Sequence, residues 1–96
     1  MSQSQNSTNL SDIFRVLGHP TKLKVMGYLL HNASLNDEPV VPTLVATDLN
    51  LTVAQTGSFM RRMSEIGLLT RSISGRYVFY KVNKQIVHEI EEYFHL

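Results

Sequence analysis

Five cations fall within residues 52–81: Arg61, Arg62, Arg71, Arg76 and Lys81, opposed there only by Glu65. That stretch carries a net +4, residues 1–51 carry −1 and residues 82–96 carry −2, so the chain's net charge of +1 conceals one strongly basic third. Guanidinium and ammonium groups concentrated in this way suit phosphate oxygens, and the guanidinium fork also suits the edges of bases. The same cluster is compatible with a solvated basic face that meets only water and counter-ions. Other chemistry is poorly provided for. The chain has no cysteine, which excludes disulfides, thiolate catalysis, redox sensing and Cys-ligated zinc. Its five glycines are dispersed, so no phosphate-cradling loop stands out, nor does a nucleophile with a base and an oxyanion site, and no enzyme is expected. His88, Glu92 and His95 share a helical face at i, i+4, i+7, but a His/Glu face near a chain end is ordinarily solvated, and no metal or other cofactor is expected.

The elements that must position the basic residues are punctuated clearly. Residues 1–9 are polar, uncharged and without periodicity, which predicts a disordered arm ahead of a single domain over 10–96. Leu10, Ile13, Phe14 and Leu17 form one helical stripe that Gly18 ends. Pro20 suits the first turn of a second helix with His19 as its cap; Leu23, Met26 and Leu30 define its apolar face, with Val25 and Leu29 beside them. The segment 31–41, rich in turn formers, reads as a loop. Pro42 opens a short helix through Leu49, apolar at Leu44, Val45 and Leu49, and Asn50 suits a left-handed C-cap. Thr52 and Gln55 match a capping box, so a fourth helix starts at Val53 and stops at Gly67. The period then changes to two: Val78, Tyr80 and Val82 alternate with Tyr77, Phe79 and Lys81, which with the segment 68–74 predicts a hairpin about Gly75. Asn83 caps a last helix with Ile86, Ile90, Tyr93 and Phe94 on one side and Val87 adjoining. The expected fold is mainly α with a small β-hairpin, in the order α-α-α-α-β-β-α.

A short helix, a tight turn and a longer capped helix make a helix-turn-helix, whose second helix lies in the major groove of DNA. Around that helix Val53, Thr56, Met60 and Met63 share the core side, while Ser58, Arg61, Arg62 and Glu65 lie opposite with Ala54 and Gln55. The outer side thus offers a hydroxyl, an amide, a methyl and two guanidiniums, groups suited to base edges and phosphates. Two bland alternatives stay open: Gln55 occupied in its capping box, and both arginines paired with Glu65. The hairpin can be a purely structural edge, yet Arg71 and Arg76 place two cations where a wing would flank the groove.

The segments 14–30 and 47–82 resemble the ArsR/SmtB family of winged-helix repressors. Three features carry the likeness: the LGHPTKL entry to the second helix at Leu17–Leu23, the E-x-G-L ending at Glu65–Leu68, and G-R-x-x-x-Y at Gly75–Tyr80. The resemblance covers residues 10–96 and implies a winged helix-turn-helix that dimerises through its first and last helices on an inverted repeat. The expected DNA contacts are Thr52, then Ala54, Gln55, Ser58, Arg61 and Arg62 on the recognition helix 53–66, and Arg71 and Arg76 on the wing 69–82. The chain departs from the pattern where family members commonly carry S-x-H-L: here stand Gly57, Ser58, Phe59 and Met60. A glycine inside a helix costs about 1 kcal/mol relative to alanine, and either close approach to a neighbour or a tolerated imperfection accounts for it. The family's metal sensors use a Cys-x-Cys near Val41 and Thr43, absent here, and an Asp and a His where Lys84 and Ile86 stand.

A chain this short has limited internal surface against which to bury two terminal apolar stripes, so Leu10, Ile13, Phe14, Ile90, Tyr93 and Phe94 are expected to form a homodimer interface. No apolar run approaches a membrane span and no signal-peptide pattern opens the chain, so a cytoplasmic location with no membrane contact is the default expectation. The expected partner is double-stranded DNA, with any small-molecule or protein effector unspecified. The rival from another class is a winged-helix module that binds a protein and not DNA.

Overall fold

The computed structural model describes residues 11–93, with side chains as far as Glu92. The expected arm 1–9, Leu10, the side chain of Tyr93, Phe94 and His95 lie outside the described residues. Helix α1 covers 11–17, followed by α2 (Pro20–Leu35), α3 (Pro42–Leu49), α4 (Val53–Glu65), β1 (Leu69–Ser74), β2 (Tyr77–Val82) and α5 (Lys84–Tyr93). The strands pair antiparallel from Leu69 opposite Val82 to Ser74 opposite Tyr77, leaving Gly75 and Arg76 as a two-residue connection. Gly75 takes φ +61°, the left-handed conformation that the first central residue of such a connection favours.

The core gathers Ile13 and Val16 of α1, Val25, Met26 and Leu29 of α2, Val45 of α3, Met60 and Met63 of α4, then Leu68, Leu69, Tyr80 and Val82. Helix ends follow the local chemistry. The Thr21 amide donates to His19 Nδ1 at 3.2 Å, and the Gln85 and Ile86 amides donate to Asn83 Oδ1 at 3.2 and 3.4 Å. No described helix is long and apolar enough to cross a membrane.

Several expectations are corrected. Helix α2 runs on through Leu35 where the sequence suggested a loop from His31. Asn32 and Ser34 are tolerated because the strong breakers come later: the Asn36 amide still donates to Asn32 O at 3.1 Å, and Asp37 turns the chain out at φ +58°. The buried side of α2 is Val25, Met26 and Leu29, whereas Leu23 and Leu30 are exposed. The pairs 25/29 and 26/29 are the i+4 and i+3 neighbours that face the core, which rotates Leu23 and Leu30 away from its centre. On α3 and α4, Leu44 and Val53 are likewise exposed, and Ala46 takes the buried place beside Val45. Ile13, expected at a dimer interface, has no accessible surface and belongs to the protomer's own core.

An unforeseen pairing ties the α2–α3 connection to the hairpin. The Val40 amide donates to Tyr80 O and the Tyr80 amide to Val40 O, both at 2.8 Å, so residue 40 acts as a one-residue third strand. Beside it, Asp37 receives Lys84 Nζ at 2.8 Å and Lys81 Nζ at 3.5 Å. The Lys84 hydrogen bond, aided by the charge of Lys81 and opposed by burial, holds the Asp37 carboxyl below its ordinary range.

Helices α2 and α3 are joined by Tyr28, whose hydroxyl donates to Asp48 Oδ2 at 2.5 Å. This hydrogen bond, with burial and the carboxylate's charge adding to it, pushes the phenol up from 10.0 to about 12. A folded-state pKa above the unfolded value means the stabilisation is complete below pH 10 and is lost as pH rises through 12. Tyr28→Phe should therefore lower stability by about 1 kcal/mol at neutral pH in urea unfolding. The gap between variant and wild type should close as pH rises through that window; a constant gap would show that the hydroxyl is not what holds the two helices.

Candidate nucleic-acid interface

Helix α4 is positioned at both ends by its own sequence. Asn50 adopts φ 58°, ψ 48°, with its amide and that of Leu51 returning to the last carbonyls of α3, so the chain reverses over two residues. Thr52 Oγ1 then accepts the Gln55 amide at 3.1 Å and starts α4. The reciprocal half of the capping box is not made: among the described residues the Gln55 side chain has no hydrogen-bond partner, and it is exposed. At the other end Gly67, at φ +92°, lets the Leu68 amide reach Met63 O at 2.9 Å and turns the chain into β1.

Thr56, Met60 and Met63 are fully buried. Their burial fixes the rotation of α4 and leaves Thr52, Ala54, Gln55, Ser58, Arg61 and Arg62 exposed together, as the sequence suggested. Both arginines lean on one carboxylate, Arg61 Nε at 3.7 Å and Arg62 Nη1 at 3.6 Å from Glu65. Exposed pairs at that separation contribute little and exchange readily for another anion. On the hairpin, Arg71 stands opposite Tyr80 and shares its face with Leu69 and Ile73, while Arg76 occupies the turn. Both are exposed, and neither has an ion-pair partner among the described residues. The structure thus gathers the α4 residues on one face and sets the two wing arginines on the adjoining element.

This is the architecture of a helix-turn-helix followed by a wing. The fold is a winged helix-turn-helix. Solved structures agree with it. An ArsR-like transcriptional regulator from Rhodococcus sp. RHA1 superposes with a TM-score of 0.72 at 15% identity, over 92% of this chain and 77% of that one. A homodimeric winged helix-turn-helix DNA-binding domain from Mycobacterium bovis, described as a possible ArsR-family regulator, gives 0.71 at 10% identity over 95% and 80%. HlyU from Vibrio cholerae gives 0.67 at 17% identity over 92% and 90%. No family model and no curated protein matches the sequence.

Residues that sequence reasoning passed over also border α4 in this winged helix-turn-helix. The Phe59 ring meets the His19 ring at a centroid separation of 5.6 Å, and Lys22 Nζ lies 5.3 Å from the Phe59 centroid. Lys22 was invisible as a candidate because it belongs to a part of the chain that is acidic overall; the available signal is Phe59, which helical spacing places on the flank of the buried edge. The expected histidine face is partly occupied otherwise, with His88 Nε2 at 3.3 Å from Glu92 Oε2. Among the described residues no three His, Asp or Glu side chains stand together as a metal-holding group.

Gly57 lies on the flank of α4 that faces α3. A Cβ built on it would meet only Pro42 Cβ, at 4.0 Å, an ordinary van der Waals distance, so packing does not demand glycine. Gly57→Ala should accordingly raise stability by about 0.5–1 kcal/mol through helix propensity and reduced freedom of the unfolded chain. A lowered unfolding midpoint would mean that α3 and α4 approach more closely than this.

Proposed function

We propose that the chain is a sequence-specific, homodimeric regulator of transcription that represses by occupying an inverted-repeat operator in double-stranded DNA. The observation that carries the reading is the division of α4 into a buried edge, Thr56–Met60–Met63, and an exposed edge of amide, hydroxyl and guanidinium groups beside an arginine-bearing wing. Gln55, Ser58 and Arg62 read base edges in the major groove, where amide and guanidinium groups form bidentate pairs, and Ala54 supplies apolar contact for a thymine methyl. Thr52 and Arg61 meet the backbone, and Arg71 and Arg76 on the wing neutralise phosphates next to the groove.

Assembly rests on α1 and α5. An open apolar pocket of about 400 Å³ lies between α1, α2 and α5, with Leu17, Leu30, Val87 and Ile90 in its walls. A second copy packed on this side would cover it, with Phe14 and Ile90 meeting the partner and Leu10, Tyr93 and Phe94 extending the contact. Ile13 would back the interface from within. The homodimeric state of the Mycobacterium bovis domain supports a dimer here. A dimer would set two recognition helices about one DNA turn apart, roughly 34–36 Å.

Binding-site selection on random duplex DNA supplies the operator. Arg62→Ala should then weaken specific binding by about 1–3 kcal/mol. Unchanged operator affinity in Arg62→Ala, Gln55→Ala and Ser58→Ala together would remove α4 as the reading element. Arg71→Ala and Arg76→Ala should each flatten the slope of log K against log salt by about one per half-site, roughly two per dimer, at little cost in specificity. Absence of any retention on heparin or random DNA that collapses with moderate salt would favour a protein-binding module instead. Assembly has its own measurement. Wild type should sediment as a dimer at micromolar concentration, and Ile90→Asp as a monomer that keeps its helical circular dichroism and binds the operator far more weakly. A wild-type monomer that grips a half-site tightly would overturn the interface.

A further inference from the structure

We infer that Lys22, with His19, forms a second phosphate clamp on the flank of the recognition helix opposite α3, an inference that rests on the DNA-binding reading above. Phe59 is the reason. It lies about 60° around α4 from Arg62 and about 40° from Gln55, at the border between the buried and exposed edges. Its ring does not enter the core completely but supports two polar groups, the Lys22 ammonium of α2 at 5.3 Å and the imidazole of the α2 cap His19 at 5.6 Å. A cation over an aromatic face is held in place without being neutralised. Lys22 has no carboxylate partner among the described residues, in contrast to Arg61 and Arg62, which share Glu65. His19, which is exposed, accepts the Thr21 amide at Nδ1, which leaves Nε2 as the ring's donor.

The geometry of a groove makes this position useful. A helix is about 10–12 Å across with its side chains and the major groove is about 12 Å wide, so a docked α4 has a phosphate ridge close on each flank. The wing addresses the backbone beyond the end of α4, and on the α3 side Arg61, about 40° around the helix from Gly57, leans on Glu65. The Phe59 flank adds an ammonium with no carboxylate partner among the described residues. The simpler account, in which Lys22 only covers the Phe59 ring, makes a different prediction, because covering a ring needs no response to salt.

The test compares wild type, Lys22→Gln and Lys22→Arg on a random-sequence duplex and on a duplex selected by wild type, across a salt series. Lys22→Gln should lose roughly five- to tenfold in affinity per half-site at 0.1 M salt, flatten the salt slope by about one per half-site, and do both equally on the two duplexes. Lys22→Arg should stay near wild type. Affinity and slope both unchanged in Lys22→Gln, while wild type binds and Arg62→Ala weakens binding, would remove the clamp and leave the DNA reading standing. A loss with no change of slope, or one that Lys22→Arg does not restore, would make Lys22 structural, and a loss on the selected duplex alone would make it a base reader; each overturns the clamp. Failure of wild type to bind either duplex would overturn the DNA reading itself.

Discussion

The burial of one edge of α4 is the constraint on which the rest depends. Thr56, Met60 and Met63 have no accessible surface, and the core they enter is shared by every other helix described and by both strands. A helix locked by three such residues cannot rotate, so the direction in which Ser58, Arg61 and Arg62 point follows from packing several ångströms away. Two turns then propagate that setting along the chain. Asn50 places α3 across the start of α4, and Gly67 sends β1 away from its end. Each reversal uses a left-handed residue, which shortens the connection and leaves little slack between the elements it joins.

Much of this was legible in the sequence because the decisive signals are local. The bounds of α3, the caps at His19, Thr52 and Asn83, and the period-two alternation of β2 depend on residues within a few positions of one another. The exposed face of α4 was legible for the same reason, since a run of thirteen residues with two methionines and a threonine on one side admits one orientation. Long-range relations were not. That Val40 pairs with Tyr80, that Tyr28 reaches Asp48, and that Lys22 sits over Phe59 each requires knowing which parts of the chain meet. The misassigned apolar residues have a related cause. Leu23, Leu30 and Val53 are as hydrophobic as their buried neighbours, and only the position of the adjoining helix decides which are covered. Ile13 shows the converse, a stripe residue that a small core absorbs completely.

Charge follows the same logic. The basic third recognised from composition is real as a surface, but its members differ in state. Arg61 and Arg62 already have a carboxylate to lean on, Lys81 is committed to Asp37, and Arg71 and Arg76 have no such partner among the described residues. Lys22, from a segment that is acidic in sum, stands over Phe59 beside the exposed face of α4. Counting charges along the chain therefore located the surface without ranking the groups on it, because pairing is decided by the fold.

The link between residues 37–40 and the hairpin bears on how such a protein can be recombined. Its wing is not a self-contained cassette. Cut out as 69–82 and transplanted, it would arrive with the Tyr80 amide and carbonyl unmatched and with Lys81 stripped of its counter-charge, because both are supplied by the distant α2–α3 connection. The exchangeable unit is discontinuous: a chimaera that borrows the hairpin must borrow Asp37 and Val40 too. By the same token, a residue inserted between those two positions would be felt at the wing, some forty residues further along the chain.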